Sequence, residues 1–516
     1  MTVPRQATDA LPDTDRRRKS RTTPAGVLAR YERAKARRAP WEAHWREAYE
    51  YVLPIRESGV SAGAPRADRV FDATAADAVE QLAASLMGQL TPPWSDWFGL
   101  AGGDALEPAE RSAAAEPLDR AAHALQAHFD MSNFAVEMHQ CYLDLVAAGT
   151  ACLCFEEAPF GEASAFRFTA VPLTEVAFEE GADGRLDTVY RRKEYTESQL
   201  RSRFPGLRLP AAARPGGDTA EEPRHAVVEA VLPATGGGFN YMAVLAPGPD
   251  GVDAPRLLAD GRFARSPFIA FRWLKAPGEV YGRSPVMKAL PDIKTANKVV
   301  ELVLKNASIA VTGIWQADDD GVLNPAAIRL VPGTIIPKAV GSRGLTPLEA
   351  PGRFDVSQLV LEDLRARIRH ALLADRLAQV DGPRMTATEV LERSAEMARI
   401  LGATYGRLQA ELLNPLVERG MAILRRRGEV PDIVIDGRTV ALQYRSPLAR
   451  SQRHQEVQGA TMWFEMVRAL GPQALAVVDA ERAARWLARA LNLPEDLIRE
   501  EGEVPTPPLA MEAGHV

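Results

Sequence analysis

The chain has 516 residues, of which 46% are hydrophobic and 25% charged, and a formal net charge of −6. That is room for about two to four domains and a sizeable core, in a composition that excludes a disordered chain. The acidic balance argues against tight gripping of nucleic-acid phosphates, though not against a wall past which DNA slides.

Cys141, Cys152 and Cys154 are too few for a disulfide framework. No secretory leader is visible near residues 5–20, and no apolar run reaches the ~20 residues that span a bilayer. A soluble, reducing compartment is expected.

Residues 1–22 are polar and contain Arg16-Arg17-Arg18-Lys19. They are either a solvated flexible arm or one that touches DNA or a neighbouring subunit. Thr23-Pro24 opens a helix with Leu28, Tyr31 and Ala34. Pro40 is expected to break it, and Trp41, Trp45, Ala48, Tyr49 and Val52 carry a second stripe to Pro54. Lys35, Arg37 and Arg38 beside the two tryptophans suggest base stacking, but one-sided helical spacing favours core packing. Residues 57–68 predict a Gly/Ala/Pro-rich loop. A helix follows from Phe71–Thr74, with Asp72 or Thr74 as cap and Val79, Leu82, Ala83, Leu86, Met87 and Leu90 on its buried face. Pro92-Pro93 stops it, and Trp97-Phe98 seal its end. Residues 116–148 predict a further helical region ended by Gly149. Its histidines, His123, His128 and His139, do not share one close helical face, so a metal would need ligands from elsewhere.

From Thr150 the pattern changes to short runs broken by Gly, Pro and Asp, which predicts antiparallel sheet. Strands are expected around Cys152–Cys154, Phe166–Phe168, Val176–Phe178 and Val189-Tyr190, then at Ala226–Leu232, Phe239–Leu245 and Phe268–Trp273. Cys152 and Cys154 would share a strand face as small buried residues. A small helix is expected at Glu194–Phe204 and a loop at 205–222. Gly236-Gly237-Gly238 lacks the Lys and Ser/Thr of a phosphate loop and suits a hairpin tip.

Gly278 to Arg427 predicts helix, extended insert, helix, loop, long helix. Ser284-Pro285 opens the first helix. Pro291 is expected to divide it before the stripe Ile293, Ala296, Val300, Leu304 and Ala307. Val311–Lys338 predicts short strands with turns at Asp319-Asp320-Gly321 and Val331-Pro332-Gly333. The second helix spans Asp355–Leu377, striped by Val356, Leu359, Val360, Leu364, Ile368, Leu372 and Leu377. After Asp381-Gly382-Pro383, Thr386-Ala387-Thr388-Glu389 fits a capping box for the third helix. Pro415 should kink that helix, and Arg425-Arg426-Arg427-Gly428 ends it. Asp432–Ile435 and Val440–Tyr444 predict a hairpin across Asp436-Gly437; helices follow at Gln458–Leu470 and Ala474–Leu491, then a polar tail.

Catalytic signatures are missing: no nucleotide-binding P-loop, no H-E-x-x-H and no G-x-S-x-G. Asp318-Asp319-Asp320 could hold Mg²⁺ or Ca²⁺, but adjacent carboxylates on a turn are more often a solvated tip, and the calcium-loop pattern is not met. An enzyme reading has no support, and no cofactor or metal is implied.

Three segments carry a resemblance: FDATAADAVEQLAASLMGQLTPPWSDWF at 71–98, YGRSPVMKALPDIKTANKVVE at 281–301 and MTATEVLERSAEMARILGATYGRLQAELLNPL at 385–416. In kind, order and separation they resemble the head-to-tail connector, or portal, proteins of T7-like short-tailed bacteriophages. The resemblance spans roughly residues 25–430. It implies an α+β, mainly helical portal fold with wing, two-helix stem, small α/β clip and C-terminal helical crown, assembled as a ring, usually of twelve subunits. Carried over, residues 1–22 are the arm, 23–273 the wing, 274–310 the first stem helix region, and 311–350 the clip. Residues 351–377 are the second stem helix, 378–385 the tunnel loop, 386–445 the long wing helix and hairpin, and 446–516 the crown and tail.

The resemblance also implies a channel at one capsid vertex through which double-stranded DNA is packaged and ejected. Implied partners are the terminase large subunit, the tail adaptor, and the major capsid and scaffolding proteins, with no membrane. The implied location is the virion portal vertex, and the host cytoplasm during assembly. Candidate channel or tunnel-loop residues are Lys294, Lys298, Glu301, Glu362, Asp363, Arg367, Gln379, Asp381 and Arg384. Candidate clip docking residues are Asp318, Asp319, Asp320, Arg329 and Lys338. The alternative is a helical scaffold or adaptor protein of a virion or other assembly, without a DNA channel.

Overall fold

A helix that is apolar on nearly every side has to be enclosed, and Cys141–Ala148 is such a stretch. All eight residues are buried, including Asp144, whose carboxylate accepts the Tyr49 hydroxyl at 2.9 Å. The rest of the core is layered around it. The computed structural model describes residues 23–54, 69–93, 95–103, 105–205, 224–247, 254–312, 315–317, 340–341, 345–347, 354–377, 402, 404–431, 433, 435, 437–445, 447–471 and 478–490.

In chain order the elements are α1 (Pro24–Val52), α2 (Thr74–Leu90), β1 (Phe98–Gly102), α3 (Pro108–Asp130) and α4 (Phe134–Ala148). A strand-rich stretch follows: β2 (Thr150–Glu157), β3 (Phe166–Ala170), β4 (Val176–Glu179), β5 (Thr188–Thr196), α5 (Glu197–Arg203), β6 (Arg224–Pro233), β7 (Phe239–Leu245), β8 (Arg256–Phe263) and β9 (Phe268–Arg272). Then come α6 (Pro285–Thr312), β10 (Trp315–Ala317), β11 (Leu345–Pro347), α7 (Phe354–Ala371) and α8 (Ala374–Leu377). A π-helical turn (Gln409–Leu413) leads into α9 (Asn414–Arg427), β12 (Val440–Tyr444), α10 (Pro447–Ala469) and α11 (Ala480–Ala490). The sheets are ordered β3-β2-β9, β4-β5-β6-β7-β8, β1-β12 and β10-β11. Every pairing is antiparallel, so the described chain is α+β, as expected.

Aromatic side chains join helices to sheet. Phe129, Phe134, Phe155, Phe166 and Phe168 pack with ring centroids 4.3–6.2 Å apart, and Trp97 stands 5.6 Å from Phe129. Each buried large side chain is worth about 1.5–3 kcal/mol. Trp45, as expected, is core: it is buried and meets Tyr281 edge-on at 5.1 Å. Cys152 and Cys154 are buried on β2, and burial pushes the Cys152 thiol up to about 12.

Several expectations are corrected. Pro40 and Pro291 break nothing: each lies inside one continuous helix. An interior proline costs about 3 kcal/mol, and here packing on both sides of it outweighs that. Ala34 and Trp45 are buried around Pro40, and Leu290 and Ile293 around Pro291. The region expected at 116–148 begins earlier, at Pro108, and divides at Met131–Asn133. Asn133 leaves the helix to grip β3, its Nδ2 donating to Phe168 O at 2.9 Å and its Oδ1 accepting Phe168 N at 3.0 Å. Arg38, one of the cations that suggested base stacking, is buried: its Nη1 donates to the carbonyls of Leu173, Thr174 and Val176.

Val440–Tyr444 pairs with Phe98–Gly102, not with Asp432–Ile435; of the latter, Ile433 and Ile435 are described and neither is in a strand. Glycine permits that distant pairing, since a Cβ on Gly103 would stand 2.1 Å from Arg438 O. The helix expected over Asp355–Leu377 is interrupted at Leu372-Leu373, and Leu373 is the only non-glycine residue with positive φ (59°) among the described residues. The helix expected from Gln458 starts at Pro447. Gly149 (φ 78°) and Gly428 (φ 76°) end their helices as expected. The arm, the loops at 57–68 and 206–222, the turns at 319–321 and 331–333, the capping box at 386–389 and the polar tail lie outside the described residues.

The chain entering α6 crosses that leaving α4 backbone to backbone. A Cβ on Gly282 would stand 2.1 Å from Gly149 O, and Gly282 N donates to Thr150 Oγ1 at 2.8 Å. Gly282→Ala is therefore expected to destabilise by about 1–3 kcal/mol or more. Gly88→Ala inside α2, with nothing within 4 Å of its Cβ, should stabilise by about 0.5–1 kcal/mol. Thermal unfolding checks both signs, and a Gly282→Ala midpoint at or above the parent's would contradict the close crossing.

The π-helical turn precedes Pro415, so the kink expected there is a widened turn that accommodates the proline ring. It carries Glu411 to β9. There the fully buried Arg272 donates to the Glu411 carboxylate from its backbone N, Nε and Nη2 at 3.0, 3.2 and 2.6 Å. Arg272→Met should cost roughly 3–5 kcal/mol by leaving the part-buried Glu411 with only the longer contact from Arg407 at 3.3 Å. The double variant Arg272→Met/Glu411→Leu should lose less than the two single losses summed. Denaturant unfolding measures the cycle, and strict additivity would show that the pair is not a unit.

Candidate functional site

The site follows from two helices with unequal halves. Helix α6 has 28 residues and α7 has 18, about 42 and 27 Å at 1.5 Å per residue. They pack against one another, and the antiparallel ribbon β10–β11 joins their far ends. The near halves are anchored: Val286, Ala289, Leu290, Ile293 and Ala296 of α6, and Leu364 and Ile368 of α7, are buried. The far halves are not. Leu302 and Leu304 are 53% and 52% exposed, and Leu359 and Val360 are 71% and 46% exposed. The apolar stripes expected from the sequence thus run off the covered surface.

One short segment holds both helices. Asn297 of α6 is buried; its Oδ1 accepts Phe71 N at 2.6 Å and Asp72 N at 3.2 Å, and its Nδ2 donates to Arg69 O at 2.9 Å. Arg365 of α7 donates to Asp72 Oδ2 at 2.8 Å. Asp72 Oδ1 accepts Thr74 N at 3.0 Å, at the start of α2. Burial penalises the Asp72 carboxylate, yet hydrogen bonds from Thr74 and the Arg365 guanidinium outweigh it and hold the carboxyl below its ordinary range. Sequence reasoning found Asp72 only as a helix cap and missed Asn297 and Arg365. The available signal was a carboxamide on the buried stripe next to Ala296.

The charged candidates form local pairs. Glu301 accepts Lys298 Nζ at 2.9 Å and Lys305 Nζ at 2.5 Å, and these bonds hold its carboxyl below the ordinary range. Lys294 donates to Glu47 of α1 at 2.5 Å. Arg367 donates to Asp292 at 2.5 Å and lies 3.9 Å from Asp363. Glu362 accepts Gln358 Nε2 at 3.1 Å. These candidates on α6–α7 therefore neutralise one another, while Lys288 and Arg369 have no ion-pair partner among the described residues. Gln379, Asp381, Arg384, Asp318, Asp319, Asp320, Arg329 and Lys338 lie outside the described residues.

The histidines have other partners: His128 Nδ1 accepts Ala165 N at 3.1 Å while Nε2 faces Glu429 at 2.6 Å, and His123 faces Asp119 at 3.2 Å. Among the described residues, no group of three or more His, Cys, Asp or Glu could hold a metal, and no helix is long and apolar enough to cross a membrane.

The profile of the family described as bacteriophage head to tail connecting protein matches residues 25–498. A probable portal protein of Bordetella phage BPP-1 is 26% identical over 499 residues, 92% of this chain and 88% of that one. The portal protein of Salmonella phage epsilon15 is 25% identical, covering 89% and 85%. That of Escherichia phage T7 is 22% identical, covering 79% and 76%. With a family match that takes in most of the chain, and portal proteins of several phages aligned along most of their own length, the chain belongs to the bacteriophage head to tail connecting protein family and has the role of a phage portal protein.

Proposed function

We propose that twelve copies close into a ring at one capsid vertex, around a channel through which double-stranded DNA is packaged and later ejected. In this reading α6 and α7 are the stem and residues 311–350 the clip. The observation that carries it is the exposed far half of the helix pair. Leu302, Leu304, Leu359 and Val360 are about half or more uncovered in one copy, and burying the remainder against a neighbour is worth on the order of 1–2 kcal/mol each. A heterologous contact that closes on itself gives every copy that cover and leaves no end subunit.

The charge pairs suit a channel wall. A duplex passing Lys294, Lys298, Glu301, Glu362, Asp363 and Arg367 meets cations already neutralised by acids, so no deep electrostatic minimum holds it. In this assignment Gln379, Asp381 and Arg384 narrow the channel as a tunnel loop. Asp318, Asp319, Asp320, Arg329 and Lys338 dock the terminase large subunit, then the tail adaptor. The wing and crown meet the major capsid and scaffolding proteins. The role is structural rather than enzymatic, within a virion assembled in the host cytoplasm.

The full chain should form rings in EDTA without nucleotide, read by native mass spectrometry, and Leu359→Glu should shift them to monomers. A strictly monomeric parent at micromolar concentration would favour the scaffold alternative. Arg384→Ala should leave ring mass unchanged but impair packaging or retention of DNA, because a guanidinium suits transient phosphate contact. Heterogeneous rings would instead make Arg384 a contact between copies, and normal packaging and retention would remove it from the channel.

A further inference from the structure

We infer that the outward face of α1 is a second docking surface for double-stranded DNA, outside any channel. The charges on this helix differ in whether they are used. Three of its four acids are: Glu42 accepts Arg38 at 2.8 Å, Glu47 accepts Lys294 at 2.5 Å and Glu50 accepts Arg69 at 2.9 Å. Its cations divide. Arg30 pairs with Glu179 at 2.6 Å and Arg38 is buried. Arg33, Lys35, Arg37 and Arg46 form no ion pair or hydrogen bond among the described residues, and Glu32 is the one acid of the helix left over against them. A chain of net charge −6 thus carries a local excess of cations on one helix face.

Their arrangement fits a duplex backbone. At about 100° per residue, Arg33 and Arg37 lie along one side of the outward face and Lys35 and Arg46 along the other. Between the two rows are Ala36, Ala39 and Ala43, all exposed. Short side chains there let a phosphate backbone approach the helix while the longer cations flank it. The strip from Arg33 to Arg46 is about 20 Å long, which faces on the order of ten phosphate charges of a duplex. Guanidinium groups suit phosphate oxygens, and backbone contacts carry no sequence information. Binding here is therefore sequence-independent and sensitive to salt. On α6–α7, by contrast, five of the seven lysines and arginines have an acid partner, namely Lys294, Lys298, Lys305, Arg365 and Arg367, and only Lys288 and Arg369 have none among the described residues. The strip is built to hold DNA and the helix pair to let it pass.

The test uses assembled full-length protein and covalently closed circular DNA, which cannot thread a preformed ring, so failure of the channel reading leaves the result interpretable. Affinity is measured between 50 and 200 mM salt for the parent and for Arg33→Gln/Arg37→Gln/Arg46→Gln. The triple variant should weaken binding about tenfold or more at the lower salt and flatten the log–log salt slope by up to about 2.7 per bound copy, at ~0.9 for each phosphate no longer neutralised. Arg33→Lys/Arg37→Lys/Arg46→Lys should restore the slope. Arg167→Gln, whose charge is paired with Glu162, should leave it unchanged. No binding to closed circles, or an unchanged slope in the triple variant, overturns the proposal. A change of assembly mass in the triple variant on native mass spectrometry also overturns it, because the face would then be a contact between copies.

Discussion

The direction in which the long helices leave the core depends on the Asn297 side chain. Its amide is buried on α6, accepts the N–H groups of Phe71 and Asp72, and donates to the Arg69 carbonyl. A buried amide left without partners costs about 1–3 kcal/mol, so the segment before α2 and the helix α6 hold each other in one register. Arg365 reaches the same segment through Asp72, and α7 is bound to the choice already made by α6. The Gly149–Gly282 crossing fixes the root of α6 from the other side. With both helices oriented by the core, their far halves are carried beyond it, and Leu302 and Leu359 stay uncovered.

Buried arginines do the complementary work inside the core. Arg38 joins α1 to the start of β4, Arg272 joins β9 to the π-helical turn, and Arg419 donates to the carbonyls of Phe155 and Arg265. Each is saturated by carbonyls or a carboxylate, which is the condition for keeping a charge out of water. The remaining surface cations then differ only in whether an acid stands beside them. That difference separates α6–α7, where five of seven are paired and Lys288 and Arg369 are not, from α1, where four lie unpaired along one face.

The helices and most strands were legible because their periods are strong: Phe239–Leu245 and Phe268–Arg272 lie where alternation and β-branching put them. The errors have separate physical causes. Proline at 40 and 291 signals a local penalty, and tertiary burial on both flanks exceeded it. Strand β8 (Arg256–Phe263) was missed because an edge strand rich in Arg and Asp shows no alternation. Val440–Tyr444 was given a neighbour in sequence, while its partner Phe98–Gly102 is more than three hundred residues away. In the candidate site the apolar stripes were visible, and so were the charged positions. The ion pairs that neutralise those charges were not, since Lys294 meets Glu47 from another helix. Leu373 gave no signal, because a left-handed leucine is tolerated only by its surroundings.

The central claim is that the exposed far halves of α6 and α7 are covered by neighbouring copies around a hole. A side-chain-resolution cryo-EM reconstruction of the assembled protein, viewed along its symmetry axis, tests this most directly. The account predicts Leu302, Leu304, Leu359 and Val360 enclosed between adjacent copies, with Lys298, Glu301 and Arg367 lining an open channel. Those four side chains facing solvent, or an assembly without a central opening, would contradict it.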